Sequence, residues 1–305
     1  FQNQRSFYFW LCNSLEIYCP VQWEYSRLNL NYSVMSKRKI IKLIEEKIVN
    51  DWDDPRLFTL SALRRRGVPP EAINYFCSKV GVTMASNVIS PTLFYSCVRE
   101  VLNIKAKRVM ALLEPLSVTI VNCDSVLSVS VPDFPFDPSL GSRKLTFGNK
   151  IFIDSSDFDI KNCDTDFRRL TPTQSVGLMH VGKVLTLLEI ITKSNCVDHL
   201  LCKIDDLTQA NRPRAFIQWV HEGLKCETRI YNELFQHADP DSVQGGFLKD
   251  INENSIVVYK DCLVEKTTKH AKHLENFQFE RIGYFCVDIE SNDEKMVFNR
   301  TVQLK

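Results

Sequence analysis

The chain has 305 residues, 44% of them hydrophobic and 25% charged, with a formal net charge of +1. This is the composition of a soluble globular protein of about two domains, with no need of staples to hold a core. The longest unbroken apolar run, Phe7–Cys12, is too short to cross a bilayer. Eleven scattered cysteines without a Cys-x-x-Cys pair suggest neither a zinc site nor a disulfide framework, but reduced thiols buried as small hydrophobes in a cytosolic protein.

The chain opens on Phe1, without an initiator Met and inside a helical pattern, and so reads as a fragment. Phe1, Phe7, Tyr8, Leu11, Cys12 and Leu15 recur at helical spacing as far as Pro20. Val21, Trp23 and Tyr25 then alternate like a strand leading into "YSVMSKRK" (32–39), where three cations follow a small hydroxyl. On its own this stretch fits a solvated basic turn; it also fits a mobile loop whose ammonium group meets a polyphosphate.

From Ile40 to about Lys107 the pattern is helical. Ile40, Ile41, Ile44 and Ile48 share one face, as do Ala72, Ile73, Phe76, Cys77 and Val80. Pro69-Pro70-Glu71 and Ser90-Pro91 are helix openings. The triplet Arg64–Arg66 reads as a solvated helix face in at least two of its three positions. After Pro115 short β-runs take over: "LSVTIV" from Leu116, "IFI" from Ile151, "VLTLLEII" from Val184, "RAFIQWV" from Arg214, "SIVVY" from Ser255 and "MVFNRTVQL" from Met296. Turn residues punctuate them, which predicts one or two β-barrels. Helices followed by strands argue for separate domains. The basic clusters, at 37–39, 64–66 and 168–169, suit a polyanion partner better than the net charge does.

Three stretches carry a resemblance: "EYSRLNLNYSVMSKRKI" (24–40), "WDDPRLFTLSALRRRGVPPEAI" (52–73) and "FQFERIGYFCVD" (277–288). Together they resemble the class I aminoacyl-tRNA synthetases, most closely the glutaminyl branch of eukaryotic type. The glutamyl branch shares "SKRK" and "WDDPR", while "LRRRGVPPEAI" followed by "FCSKVGVT" fits the glutaminyl one.

The resemblance implies an α+β multidomain fold. Residues 1–27 would end a Rossmann-like catalytic domain, and 28–106 would form a helical domain that touches the inside of the tRNA and begins with the KMSKS-type loop. Residues 107–131 with 227–305 would form a proximal anticodon-binding β-barrel, and 132–226 a distal one. "VMSKR" stands in the place of the KMSKS loop, so Lys37 is expected to meet the charge that builds on pyrophosphate as a carboxylate attacks ATP. Ser36 and Met35 would position the nucleotide, with Arg27 and Leu28 beside it.

Arg108 and Gln278 match the family's readers of the middle anticodon base, and Arg169 and Arg281 its readers of the third, with Glu280 as orienting partner. Arg168 matches a basic residue near the first base, and Thr83, Ser86 and Asn87 lie on a loop that contacts the tRNA body. Uracil and guanine edges suit glutamine and arginine. Against these roles, Arg108 at a helix end would complement the dipole without RNA, Gln278 and Arg281 suit an exposed edge strand, and Phe277, Phe279 and Tyr284 suit barrel core.

Three positions depart from the bacterial pattern: Asn3 stands where an Asp near the tRNA acceptor end would be, and Gly177 and Met179 where two further arginines would follow "FRRL". His180 and Arg168 are then candidates for the first base. None of the six histidines makes an H-x-G-H motif, so the chain alone is expected not to form the adenylate.

The implied activity is that of a cytoplasmic, ATP-dependent glutamine–tRNA ligase, with Mg2+ as counter-ion of ATP and no resident metal. Glutamine, ATP and the glutamine tRNA would be its partners, a multi-synthetase assembly is admitted, and neither DNA nor membrane is expected. A glutamyl enzyme and an inactive tRNA-binding paralogue are the alternatives.

Overall fold

A computed structural model describes residues 2–161, 167–194 and 196–305. A 3-10 turn at Gln2–Gln4 leads into α1 (Arg5–Ser14). The strand expected over Val21–Tyr25 does not form, and Val21, Trp23 and Tyr25 stand exposed. Alternation marks two faces, but a strand also needs a neighbour for its N–H and C=O groups. The ladder begins instead at β1 (Asn29–Leu30), which pairs in parallel with β2 (Val88–Ile89).

Among the described residues four α-helices follow α1: α2 (Lys37–Glu45), α3 (Leu60–Arg66), α4 (Pro70–Val80) and α5 (Pro91–Lys105). Their starts follow side-chain chemistry. Thr59 accepts the Ala62 N–H at 3.1 Å and Ser90 the Thr92 N–H at 3.3 Å, and Pro70 and Pro91 open α4 and α5. Gly67 ends α3 at φ 92°, where a Cβ would lie 2.2 Å from Cys286 Cβ. Only glycine offers both this backbone and this closeness.

The other strands are β3 (Lys107–Val109), β4 (Ala111–Leu112), β5 (Pro115–Ile120), β6 (Leu127–Pro132), β7 (Ser142–Phe147) and β8 (Lys150–Asp154). Then come β9 (Val176–Leu178), β10 (Lys183–Lys193), β11 (Cys196–Asp206), β12 (Phe216–Ile217) and β13 (Gly223–Tyr231). Last are β14 (Ile256–Glu265), β15 (Asn276–Phe279), β16 (Gly283–Val287) and β17 (Met296–Gln303).

Two sheets curl into nearly closed barrels, as the short β-runs predicted. One has the order β12-β9-β10-β11-β5-β8 and closes where Phe152 bridges Val220. The other, β3-β15-β16-β17-β13-β14-β4, has edge strands that are consecutive in the chain, joined at Met110. Strand β5 therefore pairs with β8 and β11, and not within the barrel expected from 107–131 plus 227–305. Its alternating burial is satisfied in the six-stranded sheet, where Leu116, Val118 and Ile120 join Trp219 and Phe147.

Phe277, Phe279, Phe285 and Phe298 fill the seven-stranded barrel, Phe279 stacked on Phe285 at 4.1 Å between centroids. Tyr284 is buried too, but on the other face of its strand, against Leu63, Phe94 and Leu102 of the helices.

The arginine triplet is not a solvated face. Arg64 is exposed, but Arg65 and Arg66 are buried where α3 meets β16 and β17. Arg65 Nε and Nη2 grip the two oxygens of Asp288 at 3.0 and 3.1 Å. Arg66 donates to the carbonyls of Thr301 and Pro55 and lies 5.4 Å from the Tyr95 ring centroid.

Candidate nucleic-acid interface

Strand β3 places Arg108 beside β15 in parallel, with Arg108 opposite Gln278. The helix α5 has already ended, so Arg108 is a strand residue and no helix-end cation. Nor is Gln278 on an edge, since β15 lies between β3 and β16. Arg108 Nε donates to Gln278 Oε1 at 2.9 Å and Nη2 to Asn103 Oδ1 at 3.2 Å. The glutamine amide thus keeps its N–H donors for another acceptor.

A second cluster gathers around Asp157, which ends a 3-10 turn and is 2% exposed. Arg281 Nη1 and Nη2 each reach it at 2.7 Å, and Arg169 Nε lies 3.3 Å from Oδ1. Arg281 sits at the tip of the β15–β16 hairpin with φ 64°, a conformation uncommon for a side-chain-bearing residue. The strain is held by the turn, and the side chain is aimed across to the other barrel.

The residues just after Arg169 fix its backbone. Leu170 is wholly buried and bridges Phe158, and Gln174 Nε2 holds the Arg169 carbonyl at 2.7 Å. The two expected third-base readers therefore meet on one carboxylate that comes from a third segment. A bidentate carboxylate leaves part of a guanidinium's donor set free for a ligand.

Glu280 is not the orienting partner of Arg281. Its carboxylate faces His180 Nε2 at 3.1 Å and Arg143 Nη2 at 3.7 Å, while its backbone N–H donates to Val109 and its carbonyl accepts from Gln218. Arg143 is itself buried; Glu265 holds it at 2.6 Å and keeps its guanidinium firmly charged despite burial. His180, at φ 65°, stands at the β9–β10 turn. The other first-base candidate, Arg168, is exposed.

Gly177 does not accept a longer residue, because a Cβ there would meet the Phe216 ring at 2.3 Å. Met179 packs partly against the six-stranded core.

Asp157, Arg143 and Gln218 escaped the sequence reading. Asp157 lies in an ordinary polar run, and only its lack of exposure and its two arginines mark it. The acidic residue directly after the predicted strand "IFI" is Asp154, so no signal in the sequence singled out Asp157.

The MSK stretch lies elsewhere in the chain. Ser36 precedes α2 in an extended conformation, with no side-chain cap bond, and Lys37 opens the helix. Lys37 and Arg38 are exposed and make no ion pair among the described residues. Lys39, by contrast, is tied to Asp241 and lies 5.7 Å from the Phe247 ring centroid.

Arg27 and Leu28 line a groove with Thr83 and Asn87, and Ser36 and Lys37 are not among its lining residues. The groove is held by the Ser26 N–H on the Thr83 carbonyl at 2.8 Å. Thr83, Ser86 and Asn87 are all exposed. Among the described residues no group of His, Cys, Asp and Glu could hold a metal ion, and no helix is long and apolar enough to cross a membrane.

Three family models match the chain. They are the catalytic domain of the tRNA synthetases class I (E and Q), over residues 1–104, and two anti-codon binding domains of the same class, over 106–205 and 216–288. A probable glutamine–tRNA ligase of Caenorhabditis elegans is 51% identical over 314 residues, covering 100% of this chain and 40% of the relative. The glutamine–tRNA ligase of Bos taurus is 50% identical, with 100% and 40% covered. That of Tolumonas auensis is 38% identical, with 100% and 57% covered. The chain spans about two fifths of the length of the animal relatives. Matched along its whole length, and folded as two barrels preceded by helices, the chain belongs to the class I (E and Q) tRNA synthetases.

Proposed function

We propose that this chain is the KMSKS-loop and anticodon-binding part of an ATP-dependent glutamine–tRNA ligase working in the cytoplasm. The observation that carries the anticodon reading is the convergence of Arg169 and Arg281 on the buried Asp157. Guanidiniums fixed by a buried carboxylate are preorganised to offer paired donors to a guanine edge. Arg108 with Gln278 would take the middle base, a uracil, and Arg168 with His180 would lie near the first. Residues 1–27 would close a Rossmann-like catalytic domain and 28–106 would contact the tRNA stem, with Thr83, Ser86 and Asn87 against its body. The seven-stranded barrel would be the proximal anticodon domain and the six-stranded one the distal.

ATP would enter with Mg2+ on its phosphates. Lys37 and Ser36 fit that group: an exposed ammonium and an unused hydroxyl stand at the start of a nine-residue helix, where N–H groups favour anions. Met35, Arg27 and Leu28 would border the nucleotide. Glutamine and its tRNA are the other substrates. The glutamine assignment follows the names of the relatives, and the "LRRRGVPPEAI" stretch supports it.

Arg169→Ala is expected to weaken binding of the cognate anticodon stem-loop by about 1–3 kcal/mol. A stem-loop already changed at the third anticodon position should lose much less. Asp157→Asn should reproduce that pattern with both arginines present. Affinities at one fixed salt concentration decide the matter, because an arginine that only neutralises phosphate weakens every sequence alike. The 305-residue chain by itself should bind tRNA and support no glutamine-dependent exchange of pyrophosphate into ATP, a reaction that an isotope-exchange assay reads directly. Robust exchange would contradict the division of labour proposed for this segment.

A further inference from the structure

Phe136 presents a ring that is 75% exposed, on the loop between β6 and β7. The Arg108 guanidinium lies 4.9 Å from the ring centroid. The ring borders a groove of about 340 Å3 whose other walls include Ile104, Phe134, Pro135 and Leu140. Ile104 and Leu140 are also exposed. Single exposed apolar residues are ordinary, but a cluster around one arginine marks a contact surface. The loop is held at its base, where Asp133 accepts the Arg108 N–H at 2.9 Å and Arg143 donates to the Pro132 carbonyl at 3.0 Å. Two prolines, Pro135 and Pro138, stiffen it further.

We propose that the open face of Phe136 is a stacking platform for one splayed base of the anticodon loop, a role that rests on the anticodon reading above. The cation on one side of the ring and a base on the other form a layered stack, with Arg108 still bonded to Gln278. A phenyl ring offers no hydrogen bonds, so the platform holds a base without reading its identity. A peptide partner is disfavoured because the groove is walled by a cation already engaged with the Gln278 amide.

The test uses anticodon stem-loop RNAs carrying 2-aminopurine at each loop position in turn, at one salt concentration. The unaltered chain should quench the fluorophore at one position. Phe136→Leu, which keeps apolar bulk, should abolish that quenching and weaken binding roughly ten-fold, by the same factor for cognate and anticodon-substituted loops. Phe136→Trp should restore both. The platform is overturned if Phe136→Leu binds and quenches like the parent, or if its loss depends on the anticodon sequence. A parent chain that binds no stem-loop overturns the platform and the anticodon reading together.

Discussion

Arg65→Ala should lower the unfolding free energy by about 3–5 kcal/mol, the usual result of removing one member of a buried ion pair. Its partner Asp288 is 0% exposed and would be left ionised in the core. Burial alone pushes the Asp288 carboxyl up. Hydrogen bonds from Arg65, the Glu290 N–H and Asn299 outweigh it, and the group is held below the usual carboxylate range. A folded-state pKa below the unfolded one means a contribution complete above the unfolded value, about 3.9, and withdrawn as pH falls through the lower folded value. The stability gap between parent and Arg65→Ala should therefore persist at neutral pH and narrow as the pH drops towards and below about 4. Urea unfolding across that range measures it. Combining Arg65→Met with Asp288→Asn should cost less than Arg65→Ala alone, since no orphaned charge remains. A loss below about 1 kcal/mol for Arg65→Ala would remove the pair from the list of what docks the helices on the barrel.

Lys37→Ala, in a complete ligase carrying this segment, should slow glutamine activation by about 10²-fold or more, the scale of one preorganised charge contact to a transition state. Anticodon stem-loop affinity should stay put, because Lys37 and the Asp157 cluster are built by different elements. The neighbouring Lys39 provides the control. It is already tied to Asp241, so Lys39→Ala should alter activation much less. Single-turnover adenylate formation is the measurement. An unchanged rate in Lys37→Ala would leave Lys37 as no more than a solvated cation at the start of α2.

The local rules were readable along the chain, and the long-range ones were not. Ser90-Pro91 and Pro70 announced α5 and α4 because a cap and a ring constraint act within one turn of helix. The six β-runs quoted from the sequence all fall on strands, but strand β6 was not among them, and its weak alternation leaves Leu127 and Ser128 exposed and only Val131 fully buried. The burial of Arg65 depends on Asp288, 223 residues away, and no helical pattern reports a partner at that distance. Arg169 and Arg281 were named through resemblance; that they share Asp157 became visible only when the barrels were in place. Glu280 was named as the partner of Arg281 through the same resemblance, and its carboxylate turns instead to His180 and Arg143.

The closure of the seven-stranded barrel has a consequence on the ribosome. Its first strand, β3, pairs with β15, so Arg108 waits for Gln278 across 170 residues of chain. At roughly 5–20 residues per second, the two halves of that pair leave the ribosome about 10–30 seconds apart. The six-stranded barrel, made of segments from 115 to 220, lies wholly inside this interval and can be completed first. A nascent chain stalled between residues 220 and 276 can thus carry one finished barrel and an open β3 edge, exposed to intermolecular pairing. Early termination in that stretch leaves a product able to aggregate and in which Arg108 lacks its Gln278 partner.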